Sequence, residues 1–335
     1  MKIPVRRILV PVAAVLVTVV STAVGPAVAD AAPATCAGEE AWFLGVVHDD
    51  ERREDFQADV GNFEGYLDGL RATWCIPDEQ ATILAFAGSR VGTPWAGYAD
   101  ATEGNLKAEL ARMGAAASPD ATFFFFLSSH GMMWSGLAGS ACPVTRLVGS
   151  YAQLAAPDDG DDPEDGFLDD CELGEALTGE FDPGVRMWVA VDCSFCGGFS
   201  DSVTAVSGTV PDGSVPQSSG VAGPNRVVMT GCAITTECFG SSNGGGQFYR
   251  TLTAVLDDGP SACDGWTAPG FPAFQGVDLP VRGATDGRCT ASEWFFAAVE
   301  RAYTEAPNLD DQVIATQQQF RIKYDLAPGD DILIG

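Results

Sequence analysis

The chain has 335 residues, a formal net charge of −28 at pH 7 and ten cysteines. A surface this acidic repels phosphate backbones and anionic headgroups, which argues against nucleic acid and anionic membranes as partners. The length is sufficient to bury a large core, in one large domain or two small ones.

Residues 1–31 have the features of a secretory signal peptide. Three basic residues precede an apolar run over 8–24, and small residues in an A-x-A pattern follow at 27–31. A membrane anchor is disfavoured because the run is short and contains Pro11. We therefore expect a secreted monomer that leaves the membrane once the signal is removed, with disulfides suited to an oxidising compartment.

Five short apolar runs follow and predict buried strands. They do not alternate with polar residues, which is typical of parallel strands covered on both faces. The runs are 41–47, 81–86, 121–129, 185–192 and 226–232.

Helical patterns alternate with these strands. Residues 56–74, 102–117 and 171–181 have helical spacing, and a capping box at 290–293 opens a further helix. This alternation predicts an α/β sheet with right-handed crossovers. We expect one domain over 36–335, with a Gly/Pro-rich insertion around 257–289.

Two strand ends carry the residues with catalytic chemistry. The third strand ends in "SSHG", which places His130 before Gly131, and the fourth ends in "DCSFCGG" over 192–198. Active-site residues of an open α/β sheet lie at the carboxyl ends of its strands, so we expect these two strand ends to lie close together. A histidine beside a thiol or hydroxyl is a nucleophile–base pair, and the following glycines admit backbone N–H groups to an oxyanion.

The ordered set of motifs resembles the legumain-like cysteine peptidases, which are relatives of caspases and metacaspases. "DATFFFFLSSHG" (120–131) is similar to the family's strand ending in the catalytic His-Gly. "WVAVDCSFCGG" (188–198) is similar to its strand ending in an acidic residue and the nucleophile. The resemblance covers roughly 40–200.

The resemblance implies a fold and a function. The fold is a caspase-like three-layer α/β/α sandwich, with a mostly parallel six-stranded sheet in the order 2-1-3-4-5-6. The function is hydrolysis of peptide or protein substrates through an acyl-enzyme, with no cofactor required. His130 is then the base, and N–H groups near Gly131 and Gly197 form the oxyanion hole. Asp192 lies beside the substrate pocket, where a carboxylate favours Arg or Lys before the cleaved bond.

The sequence departs from the family at the nucleophile. The family's cysteine stands two residues after the acidic residue, and that position is Ser194, between Cys193 and Cys196. Three alternatives remain open: Ser194 is the nucleophile, a local shift presents Cys193 or Cys196, or the domain binds peptides without cutting them. The family's orienting Asn is also missing, and His48 or Asp49 could replace it by position.

The C-x-x-C spacing has two other interpretations. A thiol-disulfide oxidoreductase is disfavoured because Gly197–Gly198 starts a helix poorly. A structural disulfide between Cys193 and Cys196 agrees with the even cysteine count. Sequence order then allows the pairs Cys36–Cys75, Cys142–Cys171, Cys232–Cys238 and Cys263–Cys289.

An acidic stretch over 161–172 has partial calcium-loop spacing. Gly166 and Leu168 fit the loop, but Pro163 occupies a ligand position and has no side-chain oxygen. A solvated acidic loop is the competing interpretation. The candidate calcium ligands are Asp161, Asp165, Asp169 and Glu172.

Overall fold

The structure is a computed structural model, and its described residues all lie within Thr35–Gly335. The predicted signal peptide, the acidic residues 161–165 and most of the Gly/Pro-rich insertion lie outside the described part of the chain. The structure describes residues 39–48, 53–86, 94, 97–135, 148–155, 166–200, 219–232, 238, 240–241, 245–258, 263–264, 288–304, 321–325 and 332.

Eleven strands and five α-helices are defined among these residues. The strands are β1 Ala41–His48, β2 Ala81–Ala85, β3 Thr122–Ser129, β4 Gly131–Ser135, β5 Val148–Gln153, β6 Phe167–Asp169, β7 Arg186–Asp192, β8 Arg226–Thr230, β9 Gly240–Ser241, β10 Gly245–Gly246 and β11 Arg321–Asp325. The helices are α1 Arg53–Trp74, α2 Glu103–Ala116, α3 Asp170–Glu180, α4 Gln247–Asp257 and α5 Ala291–Thr304.

The central sheet confirms the predicted fold class. Its order is β2-β1-β3-β7-β8-β11, and every pairing is parallel except β8 with β11. Numbered within this sheet alone, the strands run 2-1-3-4-5-6. All five predicted strands are present.

Both faces of the sheet are apolar, which explains why the strands do not alternate. On β3, Phe124 and Phe126 pack into one cluster with α1, α4 and α5, whereas Phe123 and Phe125 pack into a second cluster with α2 and α3. All four phenylalanines are fully buried. Three layers result, because a parallel sheet must be covered on both sides.

Two elements near the site were not predicted. A small antiparallel sheet, β4-β5-β6, follows His130, and α4 begins at Gln247, in a region whose Gly- and Asn-rich start indicated a loop. The Tyr249 hydroxyl on α4 accepts the Leu127 N–H (3.0 Å) and lies 2.7 Å from the Ala190 carbonyl oxygen. It therefore joins β3 to β7 just before both strands end.

The disulfide predictions have mixed outcomes. The pairs Cys232–Cys238 and Cys263–Cys289 are confirmed. Cys75 and Cys171 are also disulfide-bonded, and their expected partners, Cys36 and Cys142, lie outside the described residues. The alternative of a structural Cys193–Cys196 disulfide is not found in this structure, where both cysteines are free thiols. No helix in the described part of the chain is long and apolar enough to cross a membrane.

Candidate active site

His130 lies where the central sheet passes into the small sheet. It stands between the end of β3 and the start of β4 and is partly exposed. Its carbonyl oxygen accepts the Gln153 N–H at 2.8 Å and lies 2.5 Å from the Ser129 hydroxyl. The His130 backbone is therefore fixed by hydrogen bonds to residues of both the central sheet and the small sheet.

The neighbouring strand end carries residues 193–198, which we call the cysteine turn. Ser128 of β3 pairs with Asp192 of β7, so His130 and Ser194 each stand two residues beyond a paired position. Parallel strands end at one edge of the sheet, so both residues lie at this edge.

Gly131 shows how closely the two strand ends approach each other. A Cβ atom on Gly131 would lie 2.4 Å from the Ser194 carbonyl oxygen, 2.8 Å from Cys193 Sγ and 2.8 Å from the Tyr151 carbonyl oxygen. Only glycine fits this position, since real Cβ contacts are longer. The structure therefore places the His130–Gly131 backbone against Cys193 and Ser194.

The three candidate nucleophiles differ in exposure. Cys193 is 1% exposed and Cys196 is 0% exposed, whereas Ser194 is partly exposed. The Ser194 hydroxyl oxygen accepts the Cys238 N–H at 3.2 Å. Of the three side chains, only the serine is open to solvent.

The two thiols have different electrostatic environments. Burial raises the pKa of the Cys193 thiol well above its usual value, and the neighbouring Cys196 adds to the shift. Burial also disfavours a thiolate at Cys196, but hydrogen bonds from the Cys193 side chain and from backbone groups outweigh it and lower the pKa of Cys196.

A buried clamp, Ser150 with Asp170, holds the cysteine turn. The Ser150 hydroxyl donates to the Phe195 carbonyl (2.5 Å) and accepts the Gly198 N–H (2.9 Å). Asp170 accepts the Ser150 N–H at 2.9 Å. Phe195 has a φ of 60°, a left-handed conformation that costs energy in a non-glycine residue and needs such support.

Sequence reasoning missed this clamp. Ser150 lies in the short strand β5, which was not predicted. Asp170 is one of several neighbouring acidic residues, and its sequence context does not distinguish it from the others. A carboxylate in the first turn of a helix is common, and nothing local in the sequence indicates that this one is fully buried.

Replacing Ser150 with alanine should lower both the stability of the fold and the peptide hydrolysis that the sequence leads us to expect. The variant leaves the Phe195 carbonyl and the Gly198 N–H without their partner, at a cost of about 1–3 kcal/mol for each buried group. Denaturant unfolding and peptide turnover measure the two effects.

Ser118→Ala is the control for this variant. Ser118 precedes β3 at the opposite edge of the sheet, and its hydroxyl bonds Glu40. This variant should lose stability without losing turnover. Unchanged turnover in Ser150→Ala would contradict a role for the clamp in holding the site.

Asp192 points into the protein beside α4. It is 3% exposed, and its Oδ1 lies 2.3 Å from where a Cβ on Gly231 would stand. Burial raises the pKa of Asp192 well above its usual value, and Cys196 and Asp59 add to the shift. The N–H groups at the start of α4 oppose it more weakly. Among the described residues, neither Asp192 oxygen has a hydrogen-bond partner of normal geometry.

His48 lies at the same edge as His130. It pairs with Ser129 at the end of β1, is buried, and packs edge-on against Phe86 with ring centroids 4.7 Å apart. The structure thus places the two histidines on adjacent strand ends. Asp49, the other orienting candidate, lies outside the described residues.

The predicted calcium ligands are only partly described. Asp169 caps α3 by accepting the Glu172 N–H, and Glu172 accepts the Asp169 N–H in return. Asp161 and Asp165 lie outside the described residues. Calcium binding stays a prediction.

One group of potential metal ligands is found within the described part of the chain. Asp169, Asp170 and Cys171 have ligand atoms within 4.8 Å of one another. Each atom already has a role, since Asp169 is a cap, Asp170 binds Ser150 and Cys171 is in a disulfide. This cluster is structural.

Comparisons with known proteins do not identify a family for this chain. No protein-family model matches the chain, and no curated protein matches it in sequence. A structural-genomics target protein from Geobacter sulfurreducens is 13% identical with a TM-score of 0.47, covering 87% of this chain and 95% of its own. Caspase-1 from Spodoptera frugiperda is 12% identical with a TM-score of 0.46, covering 89% of each chain. The fold class rests on the sheet topology described above.

Proposed function

We propose that the protein is an exported hydrolase that cleaves peptide bonds, with Ser194 as nucleophile and His130 as base. The observation that carries the proposal is the meeting of two strand ends. Gly131, the residue after His130, lies against residues 193–194 at the carboxyl edge of the sheet, and Ser194 is the candidate that is partly exposed. A hydroxyl beside a histidine is the pairing that acyl transfer requires.

The proposed reaction has two steps. His130 takes the Ser194 proton as the hydroxyl oxygen attacks the scissile carbonyl, and it gives that proton to the leaving amine. Water then attacks the acyl-enzyme with His130 again as base. Backbone N–H groups near Gly131 and Gly197 stabilise the oxyanion. His48, on the adjacent strand end, is the candidate for orienting His130.

A thiol nucleophile is the less favoured alternative. Cys193 and Cys196 are both buried, so a substrate carbonyl would reach either sulfur only if the cysteine turn opened. The same burial favours the competing class, a peptide-binding module on this fold that has lost catalysis. The experiment below distinguishes each of these two alternatives from a serine nucleophile.

Asp192 is the proposed origin of specificity for Arg or Lys. Its carboxylate stands between Gly231 and Phe248 with no normal hydrogen bond among the described residues. Asp192 is 3% exposed, so a substrate cation reaches it only if the segment around Gly231 opens, and the cation then supplies the missing partner. Peptides that vary only at the residue before the cleaved bond test this, and equal turnover of Arg, Asn and Asp peptides would contradict it.

Peptide turnover by four variants tests the proposed function. Ser194→Ala and His130→Ala should each lower turnover by at least about 10³-fold, because each removes a group that acts in the bond-making step. Ser118→Ala is the control and should retain turnover. Loss of activity in Cys193→Ser with full activity in Ser194→Ala would favour the thiol. Binding of peptides without any turnover would favour the non-catalytic module.

A further inference from the structure

The free thiols Cys193 and Cys196 lie beside a disulfide. The Cys196 sulfur is 3.8 Å from the Cys232 carbonyl oxygen, and the Ser194 hydroxyl between the thiols is 3.2 Å from the Cys238 nitrogen. Cys193, Cys196 and Cys232 share one buried cluster, against which Cys238 packs. The cysteine turn therefore contacts the backbone of both cysteines of the Cys232–Cys238 disulfide.

The cysteine turn is also shaped to close a disulfide. The Cys196 N–H donates to the Cys193 carbonyl at 3.2 Å, which makes residues 193–196 a hydrogen-bonded turn. Such a turn brings its first and last Cα atoms within about 7 Å. Disulfides span about 4.4–6.8 Å between Cα atoms, so this pair is in range.

We propose that these four cysteines form an internal thiol–disulfide exchange site, in which Cys196 attacks the Cys232–Cys238 disulfide and Cys193 resolves the product. The site has two states. One has the Cys232–Cys238 disulfide and free thiols in the turn; the other has a Cys193–Cys196 disulfide and free thiols at 232 and 238. The proposal is independent of whether Ser194 is a nucleophile.

The exchange balances without an external oxidant. Deprotonated Cys196 Sγ bonds to Cys232 Sγ as the bond to Cys238 breaks, and Cys238 takes up the proton that Cys196 lost. Cys193 Sγ, deprotonated in turn, then bonds to Cys196 Sγ and releases Cys232, which takes up the proton from Cys193. Two electrons pass from the turn pair to the 232–238 pair.

The environment of the thiols fits this order of attack. Hydrogen bonds that stabilise the Cys196 thiolate outweigh its burial, whereas burial raises the pKa of Cys193. Cys196 is the thiol whose sulfur lies 3.8 Å from the Cys232 carbonyl oxygen, so it is the first nucleophile, and Cys193 acts once the mixed disulfide has formed.

Non-reducing peptide mapping of the full chain, quenched with a thiol-alkylating reagent across a series of glutathione buffers, tests the proposal. The wild-type chain should give both disulfide isomers. Cys193→Ser should accumulate a Cys196–Cys232 cross-linked peptide, because no thiol resolves it. Cys196→Ser is the matched control and should keep only Cys232–Cys238. The Cys263–Cys289 peptide should stay constant throughout.

A second variant tests the same proposal if Cys193→Ser does not fold. Cys238→Ser leaves Cys232 without its partner, and Cys232 should then form a disulfide with Cys196. If Cys196 is alkylated in every molecule of both variants in all buffers, the exchange site does not exist. The disulfide maps do not depend on peptide turnover, so this test can fail or succeed independently of the proposed hydrolase activity.

Discussion

Replacing Gly131 with alanine should lower peptide turnover by about 100-fold or more. The new methyl group would lie 2.4 Å from the Ser194 carbonyl oxygen and 2.8 Å from the Tyr151 carbonyl oxygen, and both are backbone atoms. The two strand ends must then separate, and a displacement of about 1 Å between catalytic groups costs about 10² in rate. Overpacking should also destabilise the fold by about 1–3 kcal/mol.

Gly61→Ala is the matched control for this variant. Gly61 lies on an exposed position of α1, and a Cβ there would meet nothing within 4 Å. Alanine should stabilise that helix by about 0.5–1 kcal/mol and leave turnover unchanged. Wild-type turnover in Gly131→Ala would contradict the contact between His130–Gly131 and the cysteine turn as the basis of the site.

Replacing Asp192 with asparagine should stabilise the protein near neutral pH. The carboxyl group is 3% exposed, and burial raises its pKa well above the usual value, with Cys196 and Asp59 adding to the shift. An amide of nearly the same shape has no charge to bury. It still offers an oxygen to the N–H groups at the start of α4.

The sign of this effect follows from proton counting. Between the unfolded and the folded pKa of Asp192, the folded protein keeps a proton that the unfolded chain has lost. Stability therefore falls as pH rises through that window, by up to about 1.4 kcal/mol per pH unit. The amide in the Asp192→Asn variant does not titrate, so the variant's advantage should grow above the unfolded pKa and vanish below it.

Urea unfolding of both proteins between pH 3 and pH 8 measures the difference. We expect curves that coincide at low pH and separate as pH rises, with the variant more stable. A wild-type protein that is more stable than Asp192→Asn at pH 7 would show that Asp192 is ionised and satisfied. The same variant in the specificity assay tests the preference for Arg or Lys.

Much of the fold follows from local sequence. Continuous apolar runs such as 121–129 predicted parallel strands covered on both faces, whereas the three-layer sandwich was implied by the family resemblance. The position of His130 and Ser194 at strand ends also follows from local pattern, because parallel strands share one carboxyl edge. These strand predictions depend only on the length of each segment and on the spacing of its apolar residues.

The features that the sequence did not reveal depend on contacts between distant segments. Ser150 and Asp170 stabilise the cysteine turn through hydrogen bonds across 20 to 48 positions of the chain. The free state of Cys193 and Cys196 likewise depends on how the other cysteines pair, which spacing leaves undetermined. Helix α4 starts in a glycine-rich stretch and is stabilised by packing against β3 and β7.

The most direct test of the proposed nucleophile is to locate a covalent adduct. The full chain should react with a hydroxyl-directed fluorophosphonate, and tandem mass spectrometry should place one adduct on Ser194. His130→Ala should abolish labelling, because the hydroxyl then has no base, and Ser118→Ala should not change it. Labelling of Cys193 or Cys196 by a thiol-directed probe with Ser194 unmodified, or no adduct on any of the three, would contradict Ser194 as the nucleophile.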